Sequence, residues 1–126
     1  MITTIPNSNP RVIVIQKLYS QYINKDQKIE FKKHRYKKFI KDIVLGTLER
    51  KELIEKTIKQ HLEEDIDIKR TEILLIIFLH AAIFEILYRP ATSINIIINE
   101  YLNSSEFFLE QSQKKYLNAI LDKVSK

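Results

Sequence analysis

Residues 73–88 read ILLIIFLHAAIFEILY, apolar at every position except His80 and Glu85. A span of this kind needs about 20 apolar residues to cross a membrane, and Arg70 and Arg89 bound this one too tightly. A helix that is apolar all round is enclosed by other helices. The stretch therefore predicts the central helix of a bundle. It ends at Arg89-Pro-Ala-Thr-Ser, because proline excludes helix from the residue before it.

Working outward, the neighbours read as amphipathic helices. Asn9 and Pro10 predict a capped helix start, and that helix runs to about Ile23. Val14, Ile15, Leu18 and Tyr22 face inward, with Gln16, Lys17, Ser20 and Gln21 outside. A polar connector follows at 24–28. A second pattern begins near Phe31, with Tyr36, Phe39, Ile40, Ile43, Val44 and Leu48 on one side. Gly46 lies inside it, where close helix approach explains a residue that costs about 1 kcal/mol against alanine. A third helix spans 51–62, with Leu53, Ile54, Ile58 and Leu62 inward.

The acidic run Glu63–Asp67 lacks EF-hand spacing and reads as a break, with Asp67 as a cap beside the next helix. After the core helix, Ser93 caps a helix that buries Ile94, Ile97, Ile98, Tyr101 and Leu102. Phe107–Gln111 is a turn, and Ser112 caps a last helix with Tyr116, Leu117, Ile120, Leu121 and Val124 inward. The expectation is an all-α compact bundle of six to seven helices. Residues 1–9 form a flexible arm and residues 10–126 a single helical domain.

Composition narrows the function. The chain has 126 residues, one glycine and no cysteine. Hairpin-rich β folds, glycine phosphate loops, thiolate metal sites and disulfides are excluded. His34, His61 and His80 form no metal-binding pair, and no signal peptide opens the chain, which predicts a cytoplasmic protein. Glu85 has no second acid, histidine or nucleophile at helical spacing, and reads as a buried carboxylate paired with an arginine or a helix N-terminus. His80 reads as a packed or surface-lining histidine. No catalytic residue, metal site or cofactor is expected.

Charge is informative. The net charge is +5, yet residues 25–41 alone carry eight Lys or Arg against Asp26 and Glu30, so the rest of the chain sums to about −1. Such concentration suggests an anionic partner, nucleic acid or acidic lipid, against the plainer reading of a solvated lysine-rich face. Lys114, Lys115 and Tyr116, with Phe107 and Phe108 just before them, supply the cations and rings that single-stranded RNA requires.

The order of short motifs resembles the NusB family of bacterial transcription antitermination factors. Lys115-Tyr-Leu-Asn-Ala-Ile-Leu-Asp-Lys123 is close to the family's Lys-Phe-Val-Asn-Gly-Val-Leu-Asp-Lys. Ile98-Asn-Glu100 follows an apolar helix ending Phe84-Glu-Ile-Leu, Val14-Ile-Gln-Lys-Leu-Tyr19 is similar to the family's Gln-x-Leu-Tyr helix, and Leu45-Gly46 to its glycine after apolar residues. The likeness runs in order over residues 11–124.

The resemblance implies two three-helix bundles sharing a long central helix. It further implies binding of boxA-type single-stranded RNA together with NusE, a small-subunit ribosomal protein. The pair would then load onto elongating RNA polymerase with other Nus factors, suppressing termination and supporting ribosomal RNA synthesis. No enzyme activity, cofactor or membrane is implied, and the state is monomer or homodimer. The family's RNA surface maps here to Arg11, Tyr19, His80, Phe108, Ser112, Gln113, Lys114, Lys115 and Tyr116.

The chain departs from the pattern in places. The family's N-terminal arginine cluster is reduced to Arg11, its acid at the last helix cap is Ser112, a usual lysine is Glu106, and a glycine is Ala119. Lys32, Lys33, Arg35, Lys37, Lys38 and Lys41 are then candidates to supply the phosphate contacts the missing arginines would have made. Two alternatives stand beside this reading. One is a protein-interaction scaffold without RNA affinity. The other is an RNA-targeting domain of the sort that precedes ribosomal RNA methyltransferases, against which counts the end of the chain at Lys126.

Overall fold

The computed structural model describes residues 8–62, 72–89 and 91–125, apart from the side chains of 61 and 62. These residues form α1 (Pro10–Ile23), α2 (Lys37–Glu49), α3 (Lys51–Leu62), α4 (Ile73–Tyr88), α5 (Ile94–Ser105) and α6 (Gln111–Val124). Among the described residues there is no strand. The arm up to Asn7, the acidic break with its cap Asp67, Arg70 and Pro90 lie outside the described residues.

α4 packs against all five other helices. Its residues Ile77 to Glu85 are buried without interruption, which at 3.6 residues per turn leaves no face uncovered. α1, α2 and α4 touch one another pairwise, as do α4, α5 and α6, with α3 set against α4 and α6. Two three-helix groups therefore share α4.

Local chemistry places the helix ends. Asn9 Oδ1 accepts the Arg11 N–H at 2.9 Å, and Pro10 follows at the first helical position. Ser93 Oγ accepts the Ile96 N–H at 3.4 Å and caps α5. α6 is capped by Glu110 instead of Ser112. Glu110 and Gln113 form a reciprocal capping box, in which the Glu110 N–H donates to Gln113 Oε1 at 3.0 Å. A carboxylate at the positive end of the helix dipole, followed three residues later by Gln, satisfies two orphan donors that Ser112 leaves open.

α2 starts at Lys37, six residues after the expected Phe31. The residues from Phe31 to Tyr36 are non-helical. A turn leads into α2, with the Lys37 N–H donating to the His34 carbonyl at 3.1 Å and the Tyr36 N–H to His34 Nδ1 at 2.9 Å. Phe31 still packs against the core from this non-helical segment. Tyr36, Leu53 and Ile94, expected inward, are exposed. Leu53 and Ile94 lie in the first turns of their helices and Tyr36 just ahead of α2. Gly46 meets α4 directly: a Cβ there would stand 2.2 Å from Phe84 Cζ.

Candidate nucleic-acid interface

The buried stripe Val14, Ile15 and Leu18 fixes the rotation of α1 and turns Gln16, Tyr19 and Ser20 outward. Tyr19 is 41% exposed. Phe108 reaches the same place from the turn before α6, its ring 5.8 Å from buried Phe78 and tilted by 56°. Gln16, Tyr19, Ser20, Leu74 and Phe108 line one cleft of about 330 Å³. Two rings there offer stacking faces, while an amide and a hydroxyl offer hydrogen bonds to a base edge.

Lysines border this face of α1. Gln16 and Lys17 also line a cavity of about 560 Å³ with Lys32, Lys33 and Lys37. Lys17 and Ser20 line a further concavity with Lys28, Lys32 and Glu30. Among the described residues, no carboxylate lies within ion-pair distance of Lys17, Lys28, Lys32, Lys33 or Lys37. Lys38 and Lys41 are exposed on α2 and line neither concavity, and Arg35 lies 5.4 Å from the Tyr36 ring centre.

The start of α6 is divided. Ser112 and Lys115 are exposed. Gln113 Nε2 donates to Glu72, and Lys114 is ion-paired with Glu106. Tyr116 is half-buried against the core. Consecutive helical positions differ by about 100°, so the expected row Lys114, Lys115, Tyr116 does not present one face.

Two expected surface residues are internal. Arg11 is 8% exposed. Its Nε and Nη2 donate to Glu85 Oε1 and Oε2 at 3.2 and 2.5 Å, and Glu100 Oε1 stands 3.5 Å from Nη1. The Tyr101 hydroxyl donates to Glu85 Oε1 at 2.9 Å. Burial works against the Arg11 charge, but its hydrogen bond and attraction to Glu85 hold its pKa above the ordinary value. Burial and then Glu85 likewise push the Tyr101 phenol well up. Glu85 thus has the arginine partner its sequence context suggested, and Arg11 is consumed by that pairing.

His80 is fully buried. The Tyr22 hydroxyl and His80 Nδ1 are hydrogen-bonded at 2.6 Å. Nε2 stands 3.3 Å from Glu55 Oε2 without hydrogen-bond geometry. Burial, helped by the charge of Lys51, lowers the imidazole pKa to about 3, so at neutral pH this ring is uncharged. It is a core residue with no route to a phosphate.

Sequence reasoning missed the roles of Gln16, Lys17, Ser20 and Phe31 around these concavities. Their signal was available in part, since Gln16, Tyr19 and Ser20 recur at the three- and four-residue spacing of one helix face.

The molecule is thus an all-α double bundle whose described surface gathers rings and unpaired cations along one helix. The chain belongs to the NusB family, whose sequence model matches residues 6–126. It is 31% identical over 84 residues to a transcription antitermination protein NusB of Mesorhizobium japonicum, covering 67% of this chain and 54% of that protein. A protein of the same description from Lysinibacillus sphaericus is 34% identical over 85 residues, 68% of this chain and 66% of its own length. The matched stretch thus spans between about half and two thirds of these relatives. Among solved structures, T. maritima NusB superposes with a TM-score of 0.81 at 21% identity, covering 99% of this chain and 92% of that one. Among the described residues, no helix is long and apolar enough to cross a membrane.

Proposed function

We propose that this chain is a cytoplasmic, non-enzymatic transcription antitermination factor that binds boxA-type single-stranded RNA together with NusE and acts on elongating RNA polymerase with other Nus factors. Family membership supports the class. The observation that carries the RNA reading is the cleft holding Tyr19 and Phe108, joined at Gln16 to a cavity lined by lysines that have no carboxylate partner among the described residues. The rings stack bases, Gln16 and Ser20 meet base edges, and Lys17 and Lys32 hold phosphates, with Lys115 a further cation at the start of α6.

Titration of labelled boxA-like RNA, with and without NusE, tests this. Binding that tightens cooperatively with NusE is expected. Tyr19→Leu keeps the fold and weakens RNA binding by about 1–3 kcal/mol, the worth of one stacked base. Unchanged RNA affinity in that variant removes the cleft from the site. The scaffold reading is favoured by the engagement of Arg11 inside the core. NusE binding without any RNA affinity would establish it.

A further inference from the structure

The cavity between α1, residues 31–34 and the start of α2 holds more than a strand stacked on Tyr19 and Phe108 requires. Its volume, about 560 Å³, falls within the range of small-molecule sites. Its wall is partly apolar: Phe31 packs against the core while also lining the space. Its rim is cationic: Lys17, Lys32, Lys33 and Lys37 gather there, and among the described residues none has a carboxylate within ion-pair distance. His34 adds a polar group whose Nδ1 already accepts the Tyr36 N–H. Elsewhere Arg11 is paired with Glu85, Lys114 with Glu106 and Arg89 with Asp42. Like charges gathered without counter-charge repel one another, and a bound anion relieves that repulsion.

A cavity lined by both an aromatic side chain and several lysines matches a nucleotide, with the base against Phe31 and the phosphate among the lysines. Gln16 lines both this cavity and the Tyr19–Phe108 cleft. One strand can therefore reach both by crossing a single side chain of α1. We propose that the cavity is a second nucleotide subsite of the bound RNA strand, with a base on Phe31 and the phosphate held by Lys17, Lys33 and Lys37. This inference rests on the RNA reading above. A free nucleoside triphosphate shares the same chemistry, and the test separates the two.

The experiment is a salt series of fluorescence anisotropy titrations with labelled single-stranded RNA of about twelve nucleotides, a length within reach of such sites. Lys33→Gln/Lys37→Gln is expected to reduce the log–log salt slope by about 1.4, at ~0.7 per phosphate contact on a single strand. Phe31→Leu, which keeps an apolar side chain against the core, is expected to weaken binding about tenfold at an unchanged slope, within the range of one stacked base. Tyr19→Leu serves as the control for the first cleft. If it weakens binding while the lysine pair leaves both affinity and slope at wild-type values, the subsite is overturned and the RNA reading stands. If the wild-type protein binds no RNA, both fall together. If UTP binds the wild-type protein directly and the lysine pair loses UTP but keeps its RNA slope, the cavity belongs to a free nucleotide and the proposal is wrong.

Discussion

Arg11 and Lys17 are cations of one helix, less than two turns apart, with different surroundings. Arg11 turns inward and closes a two-pronged ion pair with Glu85, to which Tyr101 adds a hydrogen bond. Lys17 lies at the edge of a concave surface where no described carboxylate answers it. A positive charge in sequence therefore carries no role by itself, and its partner decides. On the inner side of α1 charge holds α1 to α4, and on the outer side it is left available to an anion.

The comparison can be broken most forcefully from the inside. Glu85→Gln leaves the Arg11 guanidinium buried with only the half-exposed Glu100 nearby. Loss of one partner from a buried pair costs about 3–5 kcal/mol, to be measured as a fall in unfolding free energy by denaturant titration. A loss under about 1 kcal/mol would show that solvent or Glu100 compensates, and that the pair does little to join α1 to α4.

A smaller inner effect comes from His80. Its folded pKa, about 3, lies below the ordinary histidine value of 6.5. In that window the unfolded chain binds a proton that the folded protein does not. Stability is therefore fully present above about pH 6.5 and declines as pH falls toward 3, by at most ~1.4 kcal/mol per pH unit. Unfolding measured between pH 7 and 5 should show this slope, and His80→Gln should flatten it. A wild-type profile as flat as that of the variant would mean that His80 accepts its proton in the folded state.

The sequence made some of this legible and hid the rest for definable reasons. α4 was plain because its nine consecutive buried positions, Ile77 to Glu85, fall in a run that is apolar except at His80 and Glu85. Asn9 and Ser93 were legible as caps because their side chains act two and three residues away. Gly46 was readable as a close approach, which Phe84 supplies. The cap of α6 was misplaced because Glu110 acts only through Gln113. The start of α2 was misplaced because apolar periodicity continues back to Phe31, which packs against the core from a non-helical segment.

The site was harder than the fold. Tyr19 and Phe108 were both named from the family resemblance, but nothing local shows that they share one cleft. Arg11 was misread as a surface residue because its partner stands 74 positions away. The facing of the lysines at 28–33 was illegible because residues outside a helix or strand have no period to read.

The division of labour along α1 is tested most directly by the salt dependence of RNA affinity in two variants side by side. In Arg11→Met/Glu85→Leu the inner pair is replaced by apolar groups, an exchange buried pairs tolerate far better than loss of one partner. In Lys17→Gln only an outer charge is lost, with a stability change expected within about 0.5 kcal/mol. We expect the first variant to keep the wild-type log–log slope and the second to lose about 0.7 of it. The opposite pattern, a slope that falls with the inner pair and is unmoved by Lys17, would contradict the account.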